Sequence, residues 1–468
     1  MNLHLALLVG YSLALLGVGV WMSRLVRGSA DFFVAGRRLS APLLFSTVLA
    51  ANIGAGTTIG AAGIGYRDGI SAWWWNGSAA IGSIGLAFLV GPRIWAVAST
   101  HNLYTVGDYL ELRYGKLVRG VIAILTWFGT LSILAGQLIG GAAILATVAG
   151  IPREAGVIAS ALVMTVYFVA GGLLSSAWIN LVQLVVIFAG FLYATPLVVA
   201  NAAADVLGSS AATPAGFDDI WFSSGARSGW TFLFLLAPSF IISPGLVQKV
   251  YGARDATAIR YGVGLQAIAQ AFFGLMPALL GMAARVTHPG LTDLNLALPT
   301  VLMEQLPATV SALALAAVFS AEVSTCDAIL FMLSTSLSQD LYRRFIRPDA
   351  SDSDLLRVAR GAAIAGAIGG VLLALRLPTV TTALGIFYAL LSVTLFVPVL
   401  GGLYTTRAGT PQAMAAIVAG GLTALAAIVI PHRPLWWLDP AVVGLAAAAL
   451  AFVLALPLAR TDRRPVLQ

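Results

Sequence analysis

Apolar residues run through this chain in long blocks, parted by short segments where Arg, Asp, Gly and Pro collect. The blocks reach the roughly 20 residues a helix needs to cross a hydrocarbon core. The pattern predicts thirteen transmembrane helices, near 3–26, 41–64, 68–92, 119–148, 154–172, 174–200, 229–248, 257–284, 308–341, 357–375, 380–404, 411–430 and 437–459. The expected class is an all-α integral membrane protein. The first block is too long for a cleaved leader, and its positive charges, Arg24 and Arg27, follow the apolar run instead of preceding it.

Two blocks make poor continuous helices. The second holds Gly54, Gly56 and Gly60, and the seventh holds Pro238, Ser239, Ser243, Pro244 and Gly245. Each Gly lowers helix preference by about 1 kcal/mol and each interior Pro by about 3. An interrupted transmembrane helix frees carbonyls and amides that need a cavity, an ion or a solute to satisfy them. One such block opens a run of five spans, 41–200, and the other opens a second run of five, 229–404. Five helices on, the chain re-enters the membrane in the opposite sense, so the two runs predict an inverted repeat with a midplane transport site. Flanking this five-plus-five core are an N-terminal helix and loop (1–40), an external segment (201–228), and two C-terminal helices with a tail (405–468). Glycines that only allow close helix packing are the alternative, and the matching proline pair favours interruption.

Composition agrees. Of 468 residues, 59% are hydrophobic and 10% charged, against roughly 25% charged in soluble domains. A mean hydropathy of +0.93 excludes a soluble enzyme on one anchor. One cysteine, Cys326, excludes an intramolecular disulfide framework and a multi-cysteine metal site, and the four histidines are not paired at ligand spacing. With the N-terminus outside, twenty Lys and Arg fall on the inner side against six outside, the asymmetry the positive-inside rule requires. The net charge of +7 then reflects topology and anionic lipid headgroups, not nucleic-acid binding. Trp73 to Trp75 and the pair Trp436 and Trp437 sit near predicted span ends, as interfacial anchors do. Scattered inner carboxylates form no interfacial catalytic cluster, so no enzyme is expected.

The ninth block breaks the apolar pattern most sharply, with Glu322, Ser324, Thr325, Cys326 and Asp327 close together. Charges inside a span are expensive and mark ion or solute pathways. At about 100° per residue, Ala321, Ser324 and Thr325 share one arc of a helix. Two hydroxyls and a carbonyl there offer a monovalent cation several oxygens without a full negative charge.

Further motifs are recognisable in order along the chain: Asp31–Arg38 (DFFVAGRR), Thr105–Gly115 (TVGDYLELRYG), Tyr167–Leu173 with Trp178 and Gln183, Gln248 with Lys249, Gly252–Asp255, and Ser338–Tyr342 (SQDLY). Together they resemble the sodium/solute symporter family, whose fold is the five-plus-five inverted repeat of leucine-transporter-like carriers. Phe168 departs from that pattern, standing where a small residue is usual. The resemblance implies a coupling sodium ion held by the carbonyls of Ala50 and Ile53, the carbonyl of Ala321 and the hydroxyls of Ser324 and Thr325. Some members bind a second sodium at an Asp where this chain has Asn180, which favours one sodium per cycle. Sugar carriers of the family place a Glu and a Gln where Asn76 and Thr57 stand here, which disfavours a hexose.

Thr57, Thr58, Trp75, Asn76, Gln137 and Ser243 are expected to face the solute, with an interhelical hydrogen bond equally open for Gln137. Glu322 is read as a proton site, a sodium-supporting group, or the partner of a buried Arg, and Asp327 as a structural acceptor or coupling group. The expected activity is sodium-coupled symport of a small organic solute, an amino acid or monocarboxylate, by alternating access in the plasma membrane. A proton-coupled carrier using Glu322, a sugar or vitamin symporter, and more remotely a membrane sensor are the alternatives. Nothing in the pattern requires more than a monomer.

Overall fold

The computed structural model, which describes residues 3–22, 37–170, 173–208, 213–222, 229–430 and 439–458, is built from helices. α1 (Leu3–Met22) precedes α2 (Ala41–Asn52), a π-helical turn at Gly56–Gly60, and α3 (Ala61–Asp68). Next come α4 (Trp73–Gly85), α5 (Gly91–His101), α6 (Val106–Tyr114), α7 (Lys116–Ala149), α8 (Arg153–Ala170) and α9 (Leu173–Gly208). The second half holds α10 (Phe232–Ile242), α11 (Pro244–Tyr251), α12 (Ala256–Phe273), α13 (Leu275–Thr287) and α14 (Ala297–Glu304). α15 (Ala308–Thr335) continues as a π-helix over Ser336–Ile346, and α16 (Asp352–Ala374), α17 (Val380–Thr394), α18 (Phe396–Tyr404), α19 (Thr410–Val429) and α20 (Pro440–Ala455) follow.

Among the described residues, each of the thirteen predicted intervals contains helix. Among the described residues, nine helical runs are long and apolar enough to cross a membrane. Shorter apolar helices include Ala41–Asn52 and Pro440–Ala455. Asp31–Gly36 of the first motif, Gly171, Gly172, the side chain of Trp178, and Trp436 with Trp437 lie outside the described residues.

Both expected interruptions are present. α2 ends at Asn52, where Ile53 turns extended (φ −93°, ψ 92°), and helix resumes only at Gly56. The second break falls at Ser243 (φ −50°, ψ 123°), with Pro244 starting the next helix, the position where its missing N–H costs nothing. Pro238 does not break its helix. The nearby Leu235 carbonyl accepts 2.8 Å hydrogen bonds from the hydroxyls of Ser239 and Ser392, so polar neighbours satisfy the backbone beside the proline.

The two interrupted segments are tied at one end, where Leu39 pairs with the chain after α11: Leu39 N–H donates to Gly252 O, and Arg254 N–H to Leu39 O, both at 2.9 Å. α15 runs through the middle of the fold, packing against α1, α2, α7, α8, α9 and α16. Its residues from Leu315 to Asp327 are all buried. That central position puts the polar cluster among other helices and away from lipid.

At the end of the bundle bearing Leu39, α6 is set by a capping box, Thr105 Oγ1 accepting from Asp108 N–H at 3.0 Å and Asp108 Oδ2 from Thr105 N–H at 3.0 Å. Arg119 of α7, nearly buried, pairs with Asp108 (2.8 Å), Glu111 (2.9 Å) and Asp340 (2.9 Å), and Arg344 pairs with Glu111. Lys249, counted from sequence among the basic residues of the inner side, is instead buried in α11 with its ammonium 3.1 Å from Thr47 Oγ1. Its charge is part of the packed interior because Gln248 and Lys249 lie on the helix half that follows the break.

Candidate functional site

The first break supplies free backbone groups, and α15 answers them. Ser324 Oγ lies 3.2 Å from Ala50 O and 3.0 Å from Ala321 O. Thr325 Oγ1 lies 2.9 Å from Ala50 O and 3.0 Å from Ile53 O. The two hydroxyls have one proton each, yet four carbonyl contacts are within reach. The cluster of five oxygens therefore holds more lone pairs than protons, which suits a desolvated cation of low charge. All five residues are buried, Thr325 being the most exposed at 4%. The structure thus brings together each residue that the family resemblance assigned to sodium.

The rest of the break is satisfied by side chains. Gln137 Oε1 accepts from Ala55 N–H at 2.9 Å, so this residue makes the interhelical bond that stood as its alternative role. Thr57 donates to Asn52 O at 2.5 Å, and Thr58 to Gly54 O at 2.9 Å. Asn76 donates to Thr57 O at 3.2 Å. Gly54 is required by close approach: a Cβ there would fall 2.5 Å from Thr325 Oγ1 and 2.6 Å from Gln137 Oε1.

A cavity of about 240 Å³ opens among these helices, lined by Trp75, Phe232, Leu235, Arg67, Asp68 and Thr381 among others. Of the six residues expected to face solute, Trp75 is the one on this lining. Its ring meets Phe232 and Tyr388 edge-on, with centroids 5.4 and 6.0 Å away. A Cβ at Gly56 would sit 3.5 Å from Trp75 Nε1, so the indole that lines the cavity also lies against the segment after the first break. Ser243 is half-buried at the second break. Sequence reasoning missed Phe232, Tyr388, and the Arg67–Asp68 ion pair at 2.6 Å. Aromatics in an apolar span carry no distinguishing pattern, and Arg67 reads as an ordinary loop charge.

Asn180 is buried in α9, the helix that packs on both α2 and α15. Asp327 is buried one turn beyond Ser324 and acts electrostatically on Lys249. Glu322 is 0% exposed. Its Oε1 accepts from Thr58 Oγ1 at 3.2 Å, and its Oε2 has no hydrogen-bond partner. No Arg or Lys forms an ion pair with it among the described residues, so a buried Arg partner is not what holds it.

An all-helical bundle with two interrupted helices and an oxygen cradle between one of them and a central helix defines a secondary transporter. Residues 32–420 match the sodium:solute symporter family model, and the chain belongs to that family. It is 28% identical to the sodium/pantothenate symporter of Escherichia coli (strain K12), covering 89% of this chain and 88% of that one. It is 25% identical to the sodium/glucose cotransporter of Vibrio parahaemolyticus, over 78% of this chain and 73% of that one. It is 27% identical to the human high affinity choline transporter 1, over 89% and 75%. Its fold resembles that of a sodium-coupled sialic acid symporter in a substrate-bound outward-open state, with TM-score 0.79 and 18% identity over 98% of both chains. It also resembles a nucleobase-cation-symport-1 family transporter in a closed conformation, with TM-score 0.62 and 15% identity over 95% of this chain and 98% of that one. The protein is a multi-pass, sodium-coupled solute symporter.

Proposed function

We propose that the coupling sodium sits among the carbonyls of Ala50, Ile53 and Ala321 and the hydroxyls of Ser324 and Thr325, one ion per cycle. The observation that carries this reading is the excess of lone pairs over protons in a buried cluster shared by two helices. An ion there clamps α2 to α15, and its departure frees them. Such a difference in affinity between two arrangements is what coupling requires.

The solute enters the 240 Å³ cavity lined by Trp75, a space below the usual range for drug-sized ligands and suited to a small metabolite. An amino acid or monocarboxylate is the favoured class. The E. coli relative is named for pantothenate, itself a carboxylate. With the N-terminus outside and the C-terminus in the cytoplasm, this cavity faces outward. At the opposite end, Gln248 Nε2 donates to Thr335 Oγ1 at 3.3 Å across a cleft of about 30 Å³, which reads as the closed inner side. Residues 41–200 and 229–404 then act as inverted halves that rock about the site in the plasma membrane.

The gradient suffices. A charge crossing ~100 mV yields ~2.3 kcal/mol and a tenfold sodium gradient adds ~1.4. Together these sustain about 500-fold accumulation of a neutral solute at one sodium per turnover. The test is uptake into reconstituted vesicles by the double variant Ser324→Ala, Thr325→Ala. Sodium-stimulated uptake should vanish with the protein still folded, and unchanged sodium dependence would overturn the site. The solute is found by a thermal-shift screen of small metabolites with and without sodium.

A further inference from the structure

The cradle proposed for sodium contains no formal negative charge, and one carboxylate stands next to it without a cation. Glu322 lies on α15 between Ala321 and Ser324, about 60° around the helix from Thr325. Its side chain reaches the same broken segment from the other flank. Thr58 Oγ1 lies 3.2 Å from Glu322 Oε1 and 2.9 Å from Gly54 O, and Gly54 follows the cradle carbonyl of Ile53. Glu322 and the cradle are therefore joined through one short stretch of α2 backbone and a single hydroxyl.

The surroundings make room for the carboxylate without neutralising it. A Cβ at Gly140 of α7 would come 2.9 Å from Glu322 Oε2 and 2.7 Å from the Ala55 methyl, so α7 carries a glycine where the acid needs space. Oε2 makes no hydrogen bond. Polar residues so placed inside a membrane are expensive unless something compensates them. No Lys or Arg forms an ion pair with Glu322 among the described residues, and a cation in the cradle next door would supply the compensating charge.

We propose that Glu322 is the counter-charge of the coupling sodium, a positioning residue that sets sodium affinity from outside the ligand shell. This rests on the cradle assignment above and deepens it: neutral oxygens select the ion by size and hardness, and the adjacent carboxylate supplies the long-range attraction. Both interactions bridge α15 and the broken segment. Sodium and the Thr58–Glu322 bond therefore close the same seam, and an ion leaving the cradle abandons a buried carboxylate across that seam.

The test is a sodium titration of the purified full-length carrier, without solute, read by thermal shift and by tryptophan fluorescence. The E322Q variant keeps the shape and removes the charge. Its sodium midpoint should rise at least fivefold, with the maximal response at saturating sodium unchanged and solute half-saturation there also unchanged. A rise of less than fivefold overturns the inference. Should E322Q not yield folded protein, E322D and E322N form an equal-sized pair, and the Asn form should show the fivefold weaker midpoint, with equality overturning the proposal. The Ser324→Ala, Thr325→Ala double variant separates this from the cradle itself. Loss of the sodium response there with a silent E322Q removes only the counter-charge, whereas an intact response removes the cradle.

Discussion

The hydroxyl oxygen of Thr325 lies 2.9 Å from the carbonyl oxygen of Ala50, although 274 residues separate the two along the chain. The contact exists because α2 stops at Asn52 and leaves the Ala50 carbonyl without its helical partner, while α15 presents a hydroxyl at the same depth. A sodium ion replacing hydrogen bonds in such a contact would join two helices that the carrier must separate once per cycle.

Gly54 controls how close those helices come. In Gly54→Ala the new methyl would press on Thr325 Oγ1 and Gln137 Oε1, an overpacking of about 1–3 kcal/mol. The expected result is a sodium half-saturation raised about tenfold or more, measured by sodium-dependent uptake at fixed solute.

Stoichiometry turns on Asn180. An amide brings no charge, and Asn180→Asp adds one beside helices α2 and α15. The Hill coefficient for sodium should rise from about 1 toward about 2, the ceiling set by the number of sites. An unaltered value in a variant that still transports would argue against the single-ion account.

Trp75 lines the cavity and does not belong to the proposed sodium cradle, so its truncation should act on solute rather than ion. Trp75→Ala should raise solute half-saturation about tenfold or more, since lost aromatic contacts are worth more than about 1 kcal/mol. The sodium midpoint, read without solute by thermal shift, should stay within about twofold of wild type.

Glu111 outside the membrane spans offers a pH test. Burial raises its pKa, but hydrogen bonds from Arg344 and Arg119 outweigh burial and hold it below the ordinary 4.5. A depressed carboxylate stabilises the fold above its unfolded pKa and loses that contribution as pH falls through the folded value. Glu111→Gln should therefore lower Tm at neutral pH by the equivalent of about 1 kcal/mol. The gap to wild type should close as pH drops below 4.5. A gap that persists in acid would assign the effect to packing instead of charge.

Much of this was legible beforehand because bilayer physics acts on composition. A span needs apolar length, so thirteen intervals could be placed, and glycine and proline cost helix stability wherever they fall, so the breaks at 53–55 and 243 could be foreseen. The helical arc of Ala321, Ser324 and Thr325 follows from a fixed angle per residue. Gln137 could not be decided from sequence, because a glutamine facing a solute and one bonding Ala55 N–H have the same local pattern. Arg67 and Lys249 were misplaced in importance for a related reason. Counting charges by loop says nothing of which neighbours surround them.

The sequence by itself thus determined which segments are apolar helices, where two of them must stop being helical, and which residues share a helix face, since each depends on a few adjacent residues. Tertiary structure decided what lies opposite those faces. Only packing puts the carbonyls of Ala50 and Ile53 against Ser324 and Thr325, brings Trp75 to the lining of a cavity, and leaves Glu322 Oε2 without a hydrogen-bond partner. Those relationships join residues hundreds of positions apart, and no local rule of spacing or propensity reaches that far.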